Sequence, residues 1–200
     1  MSNKQFGIYK LSNKNKTLIN NGFDSRNENL EKIKARVNLT SKISFVNEVI
    51  IGNKGFGSDF FDGRNYLYDY YEVIPSINWV FNRSFRTTLR YKNYFAENKP
   101  FFGVEETRNE EVSLQIVYNA LEKGNVDATF SLIDVSYNGT EGNTLSYDML
   151  RGLTNGTNLK WVLGIGKRFS NHMKLRLEYN GRQIGKNPVV HIGNVQARYL

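Results

Sequence analysis

From Asn158 onward the chain alternates apolar and polar residues in three successive runs. Leu159, Trp161, Leu163 and Ile165 fall on one side of the first run, with Lys160, Val162, Gly164 and Arg168 on the other. After Ser170-Asn171-His172 the pattern resumes. Met173, Leu175, Leu177 and Tyr179 oppose Lys174, Arg176, Glu178, Asn180 and Arg182. The last run sets Gly193, Val195, Ala197 and Tyr199 against Asn194, Gln196 and Arg198. Period-two alternation is the mark of a strand with two unlike faces. Here one face is apolar and the other strongly basic. The runs match the length of a tilted strand that crosses a bilayer.

The same reading upstream predicts strands over 5–11, 30–40, 43–52, 66–80, 84–95, 110–121 and 125–137, about ten strands in all. In 30–40, Ile33, Ala35, Val37 and Leu39 oppose Lys32, Lys34, Arg36 and Asn38. In 84–95, Phe85, Thr87, Leu89 and Tyr91 oppose Arg86, Thr88, Arg90 and Lys92. The 43–52 run alternates poorly, because Asn47 and Glu48 interrupt both faces. Pro75 lacks a ladder donor, so a bulge is expected there. Connections are expected to be short at 41–42, 82–83, 122–124 and 170–172, and long at 12–29, 53–65, 96–109, 138–157 and 184–188. Within 138–157, the stretch Leu145–Leu150 suits a turn or two of helix. Long and short connections that alternate end by end belong to up-and-down barrels of the outer membrane. An even strand number puts both termini on the short-turn side. Trp79, Phe85, Tyr118, Phe169 and Tyr199 fall near that side, where an interfacial aromatic girdle is expected.

Composition agrees. Mean hydropathy is −0.52, and no apolar run is long enough for a membrane helix. Strand alternation keeps average hydropathy low even in a membrane barrel. There is no cysteine, which excludes thiol chemistry, zinc–cysteine sites and disulfides. The opening Met1-Ser2-Asn3-Lys4-Gln5 has no apolar leader core. An envelope protein of this kind is expected to have lost its leader or to be part of a longer chain. The net charge of +8 and pI near 9.5 raise nucleic acid as a partner. Lys and Arg recur at strand alternation rather than in one patch, so no nucleic-acid partner is expected.

The basic face is the candidate site. Arg36, Arg86, Arg90, Lys92, Arg168, Lys174, Arg176 and Arg182 all project opposite the apolar stripe. An Arg or Lys facing lipid near the midplane costs about 2–4 kcal/mol. These residues are therefore expected to face a lumen, and pairing with Glu72, Asp127, Glu178 and tyrosine hydroxyls is expected to plug it. An anion passage or sugar-acid site is the sharper alternative. No catalytic, metal or cofactor constellation is found. His172 and His191 lack a carboxylate at ligand spacing. Glu105, Glu106, Glu110 and Glu111 lack the Asp/Gly pattern of a calcium loop. Gly164-Ile165-Gly166 is followed by no helix, so it is not a phosphate loop, and small residues facing a crowded interior explain it.

The segment Asn143–Leu153 (NTLSYDMLRGL), then NGTNLKW from Asn155, LEYNGR from Leu177 and HIGNVQ from His191, resembles the closing strands of large outer-membrane or cell-surface proteins of the Bacteroidetes. The resemblance covers the C-terminal part and carries no catalytic residues. It implies that 1–200 is a single β-barrel domain, the C-terminal membrane domain of a longer protein. That family ends on an aromatic residue; here Tyr199 precedes Leu200. The expected fold is an all-β, antiparallel up-and-down transmembrane barrel in the bacterial outer membrane. Its expected role is anchoring or translocation, porin-like in build, with lipid and a larger protein as partners. The alternative is a soluble all-β binding module, lipocalin-like or carbohydrate-binding, with the apolar stripe packed inside.

Overall fold

A computed structural model describes residues 4–19, 22–99, 101–120, 124–170 and 173–199. Its strands in chain order are β1 (Lys4–Ile19), β2 (Gly22–Asn38), β3 (Ile43–Ser58), β4 (Tyr66–Val80), β5 (Phe85–Asn98), β6 (Glu106–Ala120), β7 (Gly124–Tyr137), β8 (Gly156–Ser170), β9 (Met173–Ile184) and β10 (Val190–Tyr199). One short helix, α1 (Thr144–Met149), lies between β7 and β8. Each strand pairs antiparallel with the next, so the fold is all-β and up-and-down, as the alternation predicts. Among the described residues β1 and β10 do not pair with each other.

The register carries the two faces across the whole sheet. Val37, Phe45, Ile77, Leu89, Leu114, Phe130 and Trp161 form one continuous row of paired residues. The next row, on the opposite face, is Arg36, Val46, Ser76, Arg90, Ser113, Ser131, Lys160 and Arg182. A one-residue slip in any pair would exchange these faces, so the hydrophobic pattern specifies the register.

The buried core lies on the polar side. It joins Phe56, Tyr66, Tyr68, Tyr70, Tyr94, Ile133, Val135 and Tyr137 to Met149, Leu150 and Leu153 of the β7–β8 connection. Members from β3, β4, β5 and β7 share this cluster, so the sheet curls around it. The apolar stripe is instead the outer face, where Ile77, Leu89, Leu114, Phe130, Leu163 and Leu177 are exposed. A soluble module would pack that stripe inside; these strands present it outward.

Several boundaries differ from the sequence expectation. Residues 12–19 and 22–29 are strand rather than part of a long loop, because Ser12 to Thr17 of β1 pair with Asn29 to Asp24 of β2. Backbone pairing needs no apolar side chain, and these polar residues extend the hairpin. Positions 20–21, between the two strands, lie outside the described residues. β3 likewise runs to Ser58, and β5 and β6 reach Asn98 and Glu106, so those loops are shorter than expected. Pro75 interrupts the β4–β5 ladder between Val73 and Ser76, yet the register resumes unchanged. The register shift occurs at Arg168/Ser170, between β8 and β9. Asn47 and Glu48 resolve the poor alternation of β3: Asn47 faces out opposite Pro75, and Glu48 faces in opposite Lys34.

Candidate functional site on the inner face

The inner face has two halves. At the long-loop end, Phe56, Tyr66, Tyr68, Tyr70 and Tyr94 form a ladder with successive ring centroids 5.9, 6.0, 6.2 and 6.0 Å apart. The β7–β8 connection folds onto this ladder. Its helix starts because Asn143 caps it: the Ser146 N–H donates to Asn143 Oδ1 at 2.7 Å, and the Asn143 N–H donates to Ser146 Oγ at 3.1 Å. This reciprocal capping box lets a very short helix hold its first turn. Asp148 then accepts from Lys54, from Tyr66 Oη at 2.9 Å and from Tyr68 Oη at 3.3 Å. Met149 and Leu150 are buried beneath it.

Arg151 completes the contact. Its guanidinium bonds Glu72 at 2.5 Å and stands over the Tyr94 ring at 3.9 Å and the Tyr70 ring at 5.8 Å. Burial opposes the charge on Arg151, but the bond to Glu72 outweighs it and holds the group above its ordinary range. Arg151 also adopts φ 56°, a left-handed conformation that costs a non-glycine residue about 1 kcal/mol or more. Its ion pair and ring contacts offset that cost.

The strand cations divide into two groups. Lys92 pairs with Glu111 at 2.9 Å, and Lys34 with Glu48 at 2.8 Å. Arg176 reaches both oxygens of Asp127, at 3.2 and 3.3 Å, and lies 3.6 Å from Glu178. Arg36, by contrast, donates among the described residues only to Asn38 Oδ1, at 3.3 Å, and Arg86 and Arg90 stand exposed on β5. Arg182 lies opposite Lys160, and Lys174 opposite Arg168 and Arg198, so like charges face each other along β8–β10. The predicted site residues thus share one face but not one site. Glu72 was expected to pair with strand cations and pairs instead with the loop residue Arg151.

Close packing explains the glycine pair of β8. A Cβ on Gly164 would sit 2.5 Å from Asp127 Oδ2 and 2.8 Å from Arg176 Nη2, so a side chain there would push the Arg176–Asp127 pair aside. Gly166 is similarly crowded by Asn125. His191 bonds the Tyr179 hydroxyl at 2.7 Å on the outer face. His172 and the Phe169 side chain lie outside the described residues. Glu110 faces out and Glu111 faces in, which splits the acidic cluster, and no group of potential metal ligands occurs among the described residues.

No protein-family model matches the chain, and no curated protein matches it. Among solved structures it is similar to the translocator domain of the autotransporter NalP from Neisseria meningitidis, at 11% identity and a TM-score of 0.34, over 100% of this chain and 86% of that one. The ten consecutively paired antiparallel strands define the up-and-down fold.

Asp148 and Arg151 are the inner-face residues that sequence reading passed over. The only signal was two opposite charges inside the Leu145–Leu153 stretch, which an exposed loop would carry equally well.

Proposed function

We propose that the chain is an outer-membrane β-barrel that anchors, or helps translocate, a larger surface protein, and that its own β7–β8 connection stoppers the lumen. The outer face carries this reading. From Tyr71 to Trp79 on β4, Val112 to Tyr118 on β6 and Leu159 to Ile165 on β8, every outward position is uncharged. Outward charges return toward the long-loop end, at Glu31, Asp69, Glu97, Glu110 and Asp134. An apolar belt with strands projecting past it on one side is what a bilayer-spanning barrel requires. Trp79, Phe85, Tyr118 and Tyr199 edge the belt at its short-turn end. The role is physical rather than catalytic.

Partitioning tests the reading. Purified protein should require detergent and migrate faster on gels before heating than after. A monodisperse, detergent-free sample with a cooperative melt would reject it.

A further inference from the structure

Below the tyrosine ladder the inner face opens into a hollow of about 900 Å³ toward the short-turn end. Arg36 of β2 and Arg86 and Arg90 of β5 project into it, all exposed. Arg86 and Arg90 make no hydrogen bond or ion pair among the described residues, and Arg36 has only its neutral partner Asn38. The carboxylate on the wall, Glu48, is already held by Lys32 and Lys34. One inward position above Arg90, Lys92 is neutralised by Glu111. Ser76, Asn78, Thr88 and Gln115 fill the wall between the guanidiniums with neutral hydrogen-bonding groups.

We propose that this hollow binds a small polyanion bearing two or more oxyanion groups. Arg86 and Arg90 are four residues apart on one strand, about 13 Å between Cα atoms, and Arg36 lies three strands from Arg90, about 14 Å along the sheet. One monovalent ion does not span these positions; a ligand with separated anionic groups does. Each guanidinium offers a planar fork matched to phosphate, sulfate or carboxylate. The hollow is blind at its upper end, where Tyr68, Tyr70 and Tyr94 are buried under Arg151 and α1. A ligand enters from the short-turn side and does not thread through, which favours a small molecule over a chain. The volume lies within the range of small-ligand sites.

Calorimetric titration of the detergent-solubilised protein tests this, with tripolyphosphate in one arm and a sulfated disaccharide in the other. Binding in either arm supports the site, and the stronger arm identifies the oxyanion. Arg86→Gln and Arg90→Gln should each weaken binding by roughly tenfold or more, and Arg90→Lys by less. Arg182→Gln, on the inner face but outside the hollow, and Lys14→Gln, on the projecting hairpin, should leave affinity unchanged. Heat-modifiable migration confirms that each variant is folded. Failure of both probes to bind wild-type protein overturns the proposal. So does equal weakening by Arg182→Gln, which would reflect only the net positive charge. Binding of an acidic peptide with neither small probe would overturn it as well.

Discussion

Arg151 reaches from the β7–β8 connection to the Glu72 carboxylate, 2.5 Å away, and covers the ring of Tyr94. Glu72 is nearly fully buried, at 6% exposure, so the pair ties the loop to a carboxylate that has little access to water.

Removing one partner of that pair should be costly. Arg151→Ala leaves Glu72 charged and buried, which typically destabilises by about 3 kcal/mol or more. Adding Glu72→Gln should restore much of the loss, because the orphan charge is gone. Thermal unfolding of the two singles and the double gives the coupling. A double variant whose loss equals the sum of the singles would show that the pair is not coupled.

The proposed stopper makes a prediction about passage. If α1 and the tyrosine ladder stopper the lumen as proposed, wild-type protein in planar bilayers should show no steady current. Replacing 141–154 with a short Gly-Ser linker should open a conductance that favours anions. Arg86→Glu in that background should reduce the preference, because fixed charge sets the local counter-ion concentration. A steady current from unmodified protein would contradict the stopper.

Outer and inner faces should answer differently to charge. Leu163→Arg places a cation in the apolar belt, at a cost of about 2–4 kcal/mol, and should lower the folded fraction in a bilayer refolding assay. Arg90→Leu removes an exposed side chain with no hydrogen bond or ion pair among the described residues and should change stability little. Equal effects would mean that the outer face does not meet lipid.

Arg176 should not behave like Arg90. Its bidentate contact holds Asp127, so Arg176→Leu leaves a part-exposed carboxylate without its partner, at about 1 kcal/mol. Gly164→Val should also destabilise, because its Cβ would press on both members of the pair. If Gly164→Val melts like wild type in a thermal scan, the close packing inferred there is wrong.

Strand content and face were legible because period-two alternation states the exposure of each residue directly. Leu159 to Ile165 and Met173 to Tyr179 could be sorted without coordinates, and the register places them as sorted. The polar hairpin arms of β1 and β2 were not legible. Asn, Lys and Ser carry no alternating hydrophobicity there, yet Lys14 pairs with Asn27 and Lys16 with Ser25. Their strand form comes from backbone bonds to a neighbour.

The cations were legible as a face but not as pairs. Which of them find a carboxylate depends on where antiparallel register sets Glu48, Glu111 and Asp127, and a one-residue change in any turn would reassign them. Sequence by itself determined that this chain has an apolar and a basic side joined by up-and-down strands, because side-chain direction in a strand is local geometry. Only the tertiary structure decided that the Leu145–Leu153 stretch turns inward. That choice depends on Tyr66, Tyr68, Glu72 and Tyr94, far away in the chain, being brought together by sheet curvature to receive Asp148 and Arg151.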